Sequence, residues 1–327
     1  MINNKLNLNR KVFNKDVEQV PTRDGYGEGL VEAGEKDKRV VALCADLTDS
    51  TRTSWFKDKF PERFVEIGVA EQLLVTVGAG MANYGKIPFV ASYAAFSPGR
   101  NWEQILTTVT LNDVPVKIAG SHAGASVGPD GATHQMLEDI ALMRVIPNMV
   151  VLSPCDAIQA RKVTVTAAAN RRPSYIRLTR EKTPIITTTN TPFEIGKAQI
   201  LWESKKPQVA VLATGPLVYE SLLAAKDLEK NGIGSIVINH HTIKPIDEKS
   251  IVETSKKVKA IVTVEEHQIA GGFGSAVSEV LSRENPTKIG FVGVQDRFGE
   301  SGAPEELVQK FELDSPSIIQ KVKSLLD

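Results

Sequence analysis

An excess of charge, cysteine and long apolar runs are what this chain lacks. Lysine plus arginine number 39 and aspartate plus glutamate number 39, so the formal net charge at pH 7 is zero. Without a basic stripe there is no footprint for nucleic acid, and without an acidic tail there is no mark of disorder. The two cysteines, Cys44 and Cys155, are too few for a disulfide framework, and neither stands at a metal-ligand spacing. No apolar run reaches the roughly 18–20 residues that span a bilayer. The opening segment MINNKLNLNRKVFNKD is polar and lacks the apolar core of a secretion signal. A cytoplasmic globular protein with no membrane or nucleic-acid partner is therefore expected. The patterns GxxxxGKS/T, HExxH and GxSxG are also missing, which excludes the phosphate-loop, zinc-protease and serine-hydrolase chemistries they carry.

What is present is an apolar content of 42% over 327 residues, enough for two domains with real cores. Short β-branched runs at 39–44, 87–92, 116–120, 149–153 and 174–178 read as strands. Segments at about 22–35, 69–84, 99–111, 133–145 and 156–170 read as helices between them. This alternation predicts a mostly parallel sheet covered on both faces. The threonine-rich stretch that follows has no sustained apolar period, which places a linker at 186–206. Strands then resume at 209–213, 235–239, 260–264 and 288–292, with helices at about 216–231, 247–257, 272–285 and 315–326. The expectation is an α/β chain of two doubly wound domains, 15–185 and 207–327.

Ligands of open parallel sheets bind beyond the carboxyl ends of the strands. Four polar or aromatic segments sit there: ADLTDST (45–51), ASYAAF (91–96), the glycine-rich loop 119–135, and Thr179-Arg180. Glu71 opens a helix that is otherwise small and apolar (LLVTVGAGMA, 73–82), as in a closely packed interior. It is either a helix-start acid favoured by the dipole or a carboxylate offered to a heterocyclic nitrogen. His122, Asp130 and His134 lie among glycines, either in a ligand loop suited to sugar hydroxyls or a phosphate, or in a surface loop with a helix cap at Thr133. No third ligand accompanies the histidines for a metal. Tyr93 and Phe96 are core or pocket wall; Arg23 and Arg180 are solvated or anion-binding. The pair VEEH (264–267) and GGFG (271–274) lacks the GxGxxG spacing and reads as tight strand-to-helix packing.

Taken together, ADLTDST, RFVEIGVAEQ (63–72), SVGPDGATHQ (126–135) and RVIPNMVVLSPCD (144–156) resemble the C-terminal part of transketolases in order and spacing. TIKPID (242–247), VTVEEH (262–267) and VQDRFGESG (294–302) resemble the terminal domain of transketolase and of 1-deoxyxylulose-5-phosphate synthase. The resemblance implies a pyrimidine-binding domain followed by a transketolase C-terminal domain. It implies thiamine diphosphate, with Glu71 on the aminopyrimidine nitrogen, Phe96 stacked on that ring and Tyr93 as a second wall. Arg23, Ser50, His122 and Arg180 match residues that hold the sugar phosphate, and Asp130 and His134 match those that meet its hydroxyls, His134 also catalytically. Three positions depart from the family: Gly99 stands near an expected aromatic, Pro129 replaces an acid and Ala132 replaces a proline. The Gly-Asp-Gly…Asn motif that holds Mg²⁺ and the diphosphate is not found. The implied protein is the C-terminal subunit of a split transketolase, self-associating through the pyrimidine domain and joined by an N-terminal subunit that holds the metal. It would move a two-carbon ketol unit from a ketose phosphate to an aldose phosphate. The alternative is the second half of another thiamine enzyme, deoxyxylulose phosphate synthase or a 2-oxoacid dehydrogenase β subunit.

Overall fold

The apolar runs become the centres of two sheets. The computed structural model describes residues 1–327. Its first half contains β1 (Gln19–Pro21), α1 (Thr22–Lys36), β2 (Val40–Cys44), α2 (Ser54–Lys59), β3 (Phe64–Glu66), α3 (Glu71–Asn83) and β4 (Ile87–Tyr93). It continues through α4 (Trp102–Gln104), β5 (Lys117–Ser121), α5 (Asp139–Arg144), β6 (Val150–Leu152), α6 (Ala157–Ala169), β7 (Ser174–Arg177) and β8 (Lys182–Pro184). The second half runs β9 (Gln199–Glu203), β10 (Val209–Ala213), α7 (Val218–Lys230), β11 (Ser235–Asn239), β12 (Thr242–Lys244), α8 (Glu248–Ser255) and β13 (Ala260–Gln268). It closes with α9 (Phe273–Glu284), β14 (Lys288–Val294), α10 (Pro304–Lys310) and α11 (Ser315–Leu326).

The larger sheet has the order β12-β6-β7-β5-β4-β2-β3, with every pairing parallel except that of β12. The smaller has the order β14-β13-β10-β11-β9, parallel except for β9. β2 and β5 are buried along their whole length, as expected for a parallel sheet covered on both faces. One face carries α1 and α6, whose backbones approach so closely that a Cβ on Gly25 would overlap the carbonyl of Ala157. Tyr26 and Leu30 of α1 share this core with Phe89 and Val163. The other face carries α3, which packs Leu74, Val75 and Ala79 on Val90 and Ile118.

The structure departs from the sequence expectation at five places. Only one side of α3 is buried: Leu73 is 52% exposed, and Gly80 is also exposed, where an added Cβ would meet nothing within 4 Å. The helix expected at 99–111 starts at Trp102 and passes into a π-helical segment, Ile105–Thr110, because turns after β4 take up residues 94–100. The helix expected at 133–145 shrinks to α5, because the glycine loop, with positive φ at Gly128 and Gly131, extends further toward it. The stretch 186–206 is no free linker. Its start is fastened by Asp156, which caps α6 and also accepts Ile186 N (2.8 Å) and Thr187 N (2.6 Å), and its end is β9. β12 crosses from the second domain and joins the edge of the first sheet, so the two domains share a sheet.

That crossover buries two histidines. Neither His240 ring nitrogen has a partner, nor has His241 Nε2. Burial pushes their imidazoles down, to about 4 for His240 and about 3 for His241. The unfolded chain takes up protons near pH 6.5, so their contribution to stability is present above that pH and is lost as pH falls toward 4 and then 3. In urea denaturation at pH 7 and pH 5, His240→Leu should therefore gain stability relative to the wild type at pH 5 compared with pH 7. Gly25→Ala should destabilise by at least about 2 kcal/mol through backbone overpacking, whereas Gly80→Ala, on the open side of α3, should be neutral or slightly stabilising in the same measurement.

Candidate active site

Glu71 is the first residue of α3 and is 5% exposed, held at the mouth of the helix by the tight turn before it, where Gly68 takes a φ of 77°. Asn101 fixes its backbone, donating from Nδ2 to the Glu71 carbonyl at 2.8 Å. Both carboxylate oxygens face Arg100, whose Nη1 is 3.3 Å from each. The same guanidinium lies over the Phe96 ring, 4.2 Å from its centroid. Gly99 explains why no aromatic side chain stands there: its backbone folds against Ala95, and a Cβ would overlap the Ala95 carbonyl. Arg100, the next residue, covers the ring instead.

The aromatic wall continues from Phe96 to Tyr93, stacked at 5.8 Å, and from Tyr93 to His122, stacked at 3.8 Å. His134 meets Phe96 edge-on at 5.4 Å. Tyr93 ends β4, Phe96 lies in the turns that follow it, and His122 and His134 lie in the loop after the adjacent parallel strand β5. His122 is buried in left-handed backbone, φ 57°. Burial pushes its imidazole down to about 3, and the Arg23, Arg180 and Arg52 guanidiniums add to that. It is therefore neutral at any working pH. Arg23 Nη1, 3.4 Å from Nε2, can only donate, so Nδ1 carries the proton and donates to Ser121 Oγ at 2.8 Å.

The rim is cationic. Arg23 at the start of α1 donates to the Ser50 carbonyl at 2.9 Å, so Ser50 enters through its backbone. Burial and the neighbouring Arg52 lower the Arg23 pKa, and its Nε is buried without a partner. Arg180 donates to the Val127 carbonyl at 3.1 Å and lies 3.4 Å from Asp130. Thr133 caps no helix; its hydroxyl lies 2.9 Å from His134 Nδ1. All nine residues singled out in the sequence thus lie around the carboxyl edge of the first sheet. Three that matter were not singled out: Arg100, Asn101 and Arg52, the last paired with Asp24 at 2.6 Å. The signal for Arg100 was Gly99, an interruption immediately before a cation. No group of three or more His, Cys, Asp or Glu side chains is arranged to hold a metal ion, and no helix is long and apolar enough to cross a membrane.

This edge has known counterparts. The family model of the transketolase pyrimidine-binding domain matches residues 18–185, and that of the transketolase C-terminal domain matches 196–318. A Methanocaldococcus jannaschii protein assigned as a transketolase C-terminal section is 45% identical over 92% of this chain and 94% of its own. A 6-deoxy-6-sulfo-D-fructose transketolase subunit of a Clostridium species is 40% identical over 94% of this chain and 95% of its own. A solved split-gene transketolase, described as an inactive β4 tetramer, superposes with a TM-score of 0.87 at 43% identity, covering 94% of this chain and 98% of that one. Against full-length mammalian transketolases the chain spans about half their length, 49%. The shared domains, their order and these identities place the chain in the transketolase family, as its pyrimidine-binding and C-terminal domains.

Proposed function

We propose that this chain is the C-terminal subunit of a two-chain transketolase. With thiamine diphosphate it transfers a two-carbon ketol unit from a ketose phosphate to an aldose phosphate. The observation that carries this reading is the slot between Glu71 and Phe96. A planar guanidinium fills it, stacked on the ring and directed at the carboxylate. A flat aminopyrimidine, with a ring nitrogen toward Glu71 and its face on Phe96, fits the same two surfaces. Bound there, the cofactor supplies the nucleophilic carbon that takes up and hands on the ketol unit.

The chain's own residues do the rest. Glu71 hydrogen-bonds the pyrimidine nitrogen from a site shielded from water, and Tyr93 closes the wall beside Phe96. Neutral His122, with its proton on Nδ1, can accept from a sugar hydroxyl at Nε2 without adding charge. His134 and Asp130 face the sugar hydroxyls, His134 moving protons on and off the reacting oxygens. Arg23, with its free Nε, and Arg180 take the anionic end. Magnesium and the diphosphate fall to an N-terminal partner subunit in this reading.

The exposed apolar side of α3 favours self-association of the pyrimidine domain. Val69 is 69% and Leu73 52% exposed, beside a carboxylate that is itself nearly buried. The split-gene relative is described as an inactive β4 tetramer, which fits self-association of a chain of this kind. A second reading concerns the substrate's anion. The sulfofructose transketolase subunit, 40% identical, makes a sulfonated ketose an alternative donor, and a guanidinium pair would accept either oxyanion. Deoxyxylulose phosphate synthase and 2-oxoacid dehydrogenase halves remain the other thiamine-enzyme alternatives, distinguished by pyruvate as donor.

The deciding experiment mixes this chain with its N-terminal partner, thiamine diphosphate and Mg²⁺, and offers xylulose 5-phosphate, sulfofructose and pyruvate as donors. Turnover of the ketose phosphate only in the mixture is expected; turnover of pyruvate alone would replace the reading. Glu71→Ala should abolish that turnover. Arg100→Met should lower the thiamine diphosphate Kd of the pair by about 2–5-fold, because the cofactor no longer displaces a half-exposed ion pair worth roughly 0.5–1 kcal/mol. Leu73→Glu should shift the lone chain to a smaller oligomer in analytical ultracentrifugation.

A further inference from the structure

The site loop does not hold its own shape. Its ends are zipped together, with Gly124 N donating to the Met136 carbonyl at 2.9 Å, but between them it bends through glycines with positive φ at 124, 128 and 131. Each of these glycines faces a residue of the second domain: Gly124 the Glu266 carboxylate, Gly128 the Pro304 ring and Gly131 the Ser301 hydroxyl. Gln135, just past the loop's tip, donates to the Ala125 carbonyl at 2.7 Å and to the Glu300 carbonyl at 3.0 Å.

Glu266 is the innermost of these contacts. It lies on β13, is 2% exposed, and accepts the backbone N–H of Ser126 at 2.6 Å. A Cβ on Gly124 would overlap its carboxylate, so the loop passes there only as glycine. Its own carbonyl is fixed by Arg177 Nη2 at 2.8 Å, and Arg177 is held in turn by Asp139 at 2.8 Å. Ser126 belongs to the turn Ala125–Val127. The carbonyl at the end of that turn, Val127 O, receives Arg180, which also reaches Asp130. A rigid connection thus runs from Glu266 through one turn of backbone to the cation placed at the substrate's anionic end and to the acid that faces its hydroxyls.

We propose that Glu266 of the second domain is a positioning residue for the sugar's anionic group: its carboxylate sets the Ala125–Val127 turn, and the turn sets Arg180 and Asp130. The inference rests on the transketolase reading for the identity of that group. It gives the second domain a part in substrate selection although none of its side chains needs to touch substrate.

The test uses the reconstituted pair, with Glu266→Asp, which draws the carboxylate back by one methylene, and Glu266→Gln, which keeps an acceptor oxygen in place. Glu266→Asp should raise the KM for xylulose 5-phosphate about tenfold, the loss of one hydrogen bond to a charged group, with kcat within about twofold. Its preference for xylulose 5-phosphate over unphosphorylated xylulose should fall by the same factor, and Glu266→Gln should restore most of it. The thiamine diphosphate Kd should stay as in the wild type. Gly124→Ala presses on the same contact from the loop side and should reproduce the effect if Glu266→Asp folds poorly. Equal loss on both sugars, or weakened cofactor binding in step with KM, would reduce Glu266 to a fold residue and overturn the proposal. Hydrogen exchange of the lone chain is independent of the reaction. Amides 123–135 should exchange faster in Glu266→Asp and those of α1 and α6 should not. Were the wild-type pair inactive on both sugars, the transketolase reading would fail, while unchanged exchange in the loop would still refute the clamp.

Discussion

The fold and the site meet at the buried pair Arg177–Asp139. Its side chains are 2% and 0% exposed and 2.8 Å apart, so neither charge has water to fall back on. Burying a charge costs several kcal/mol unless its partner and remaining hydrogen bonds are supplied. Most are supplied: Tyr175 at 2.7 Å and Arg177 at 2.8 Å both donate to Asp139 Oδ2, and Arg177 also donates to the Met136 and Glu266 carbonyls, while Asp139 Oδ1 is left without a partner. One ion pair therefore fixes the centre of the first sheet, the start of α5, the end of the site loop and a strand of the second domain relative to one another.

From that anchor the geometry of the site follows. β4 and β5 run side by side, so the segments that leave them bring Tyr93, Phe96 and His122 into one wall. α3 starts where its first residue, Glu71, faces the same space, and the short turn after β4 delivers Arg100 onto both Glu71 and Phe96. The carboxylate and ring are thus kept paired in the lone chain rather than left bare. A half-exposed guanidinium is well suited to this, since it can leave without breaking the core.

Much of this was legible in the sequence. The parallel strands were readable because they are buried on both faces and hence continuously apolar, and Val209–Ala213 and Ser235–Asn239 fall where the pattern placed them. The place of the candidate site could be read because strand-end loops carry polar residues that a core would not tolerate. β12 was not legible: three residues, Thr242–Lys244, have no periodicity to show, and their pairing with β6 is set by tertiary contact. The open side of α3 was misread because Leu73 and Gly80 look the same in sequence whether a helix is covered by its own chain or by another. Glu266 was hidden in VTVEEH because a fully buried carboxylate on a strand is intelligible only with the amide it accepts.

The glycine loop shows why two domains serve one site. A loop that must approach a ligand closely needs residues without side chains, and such residues bring no packing of their own and a large conformational entropy. Stiffness then has to come from outside. Here the second domain provides it through Glu266, Ser301 and Pro304, each against a glycine at which a side chain would collide or strain the backbone. The same economy applies on the opposite side of the site, where α3 buries one face in its own domain while its Leu73, and Val69 in the turn before it, stay open. The candidate site is backed by the chain's own second domain on one side and bordered by an open apolar patch on the other. Binding of a partner there would bear directly on the helix that begins with Glu71.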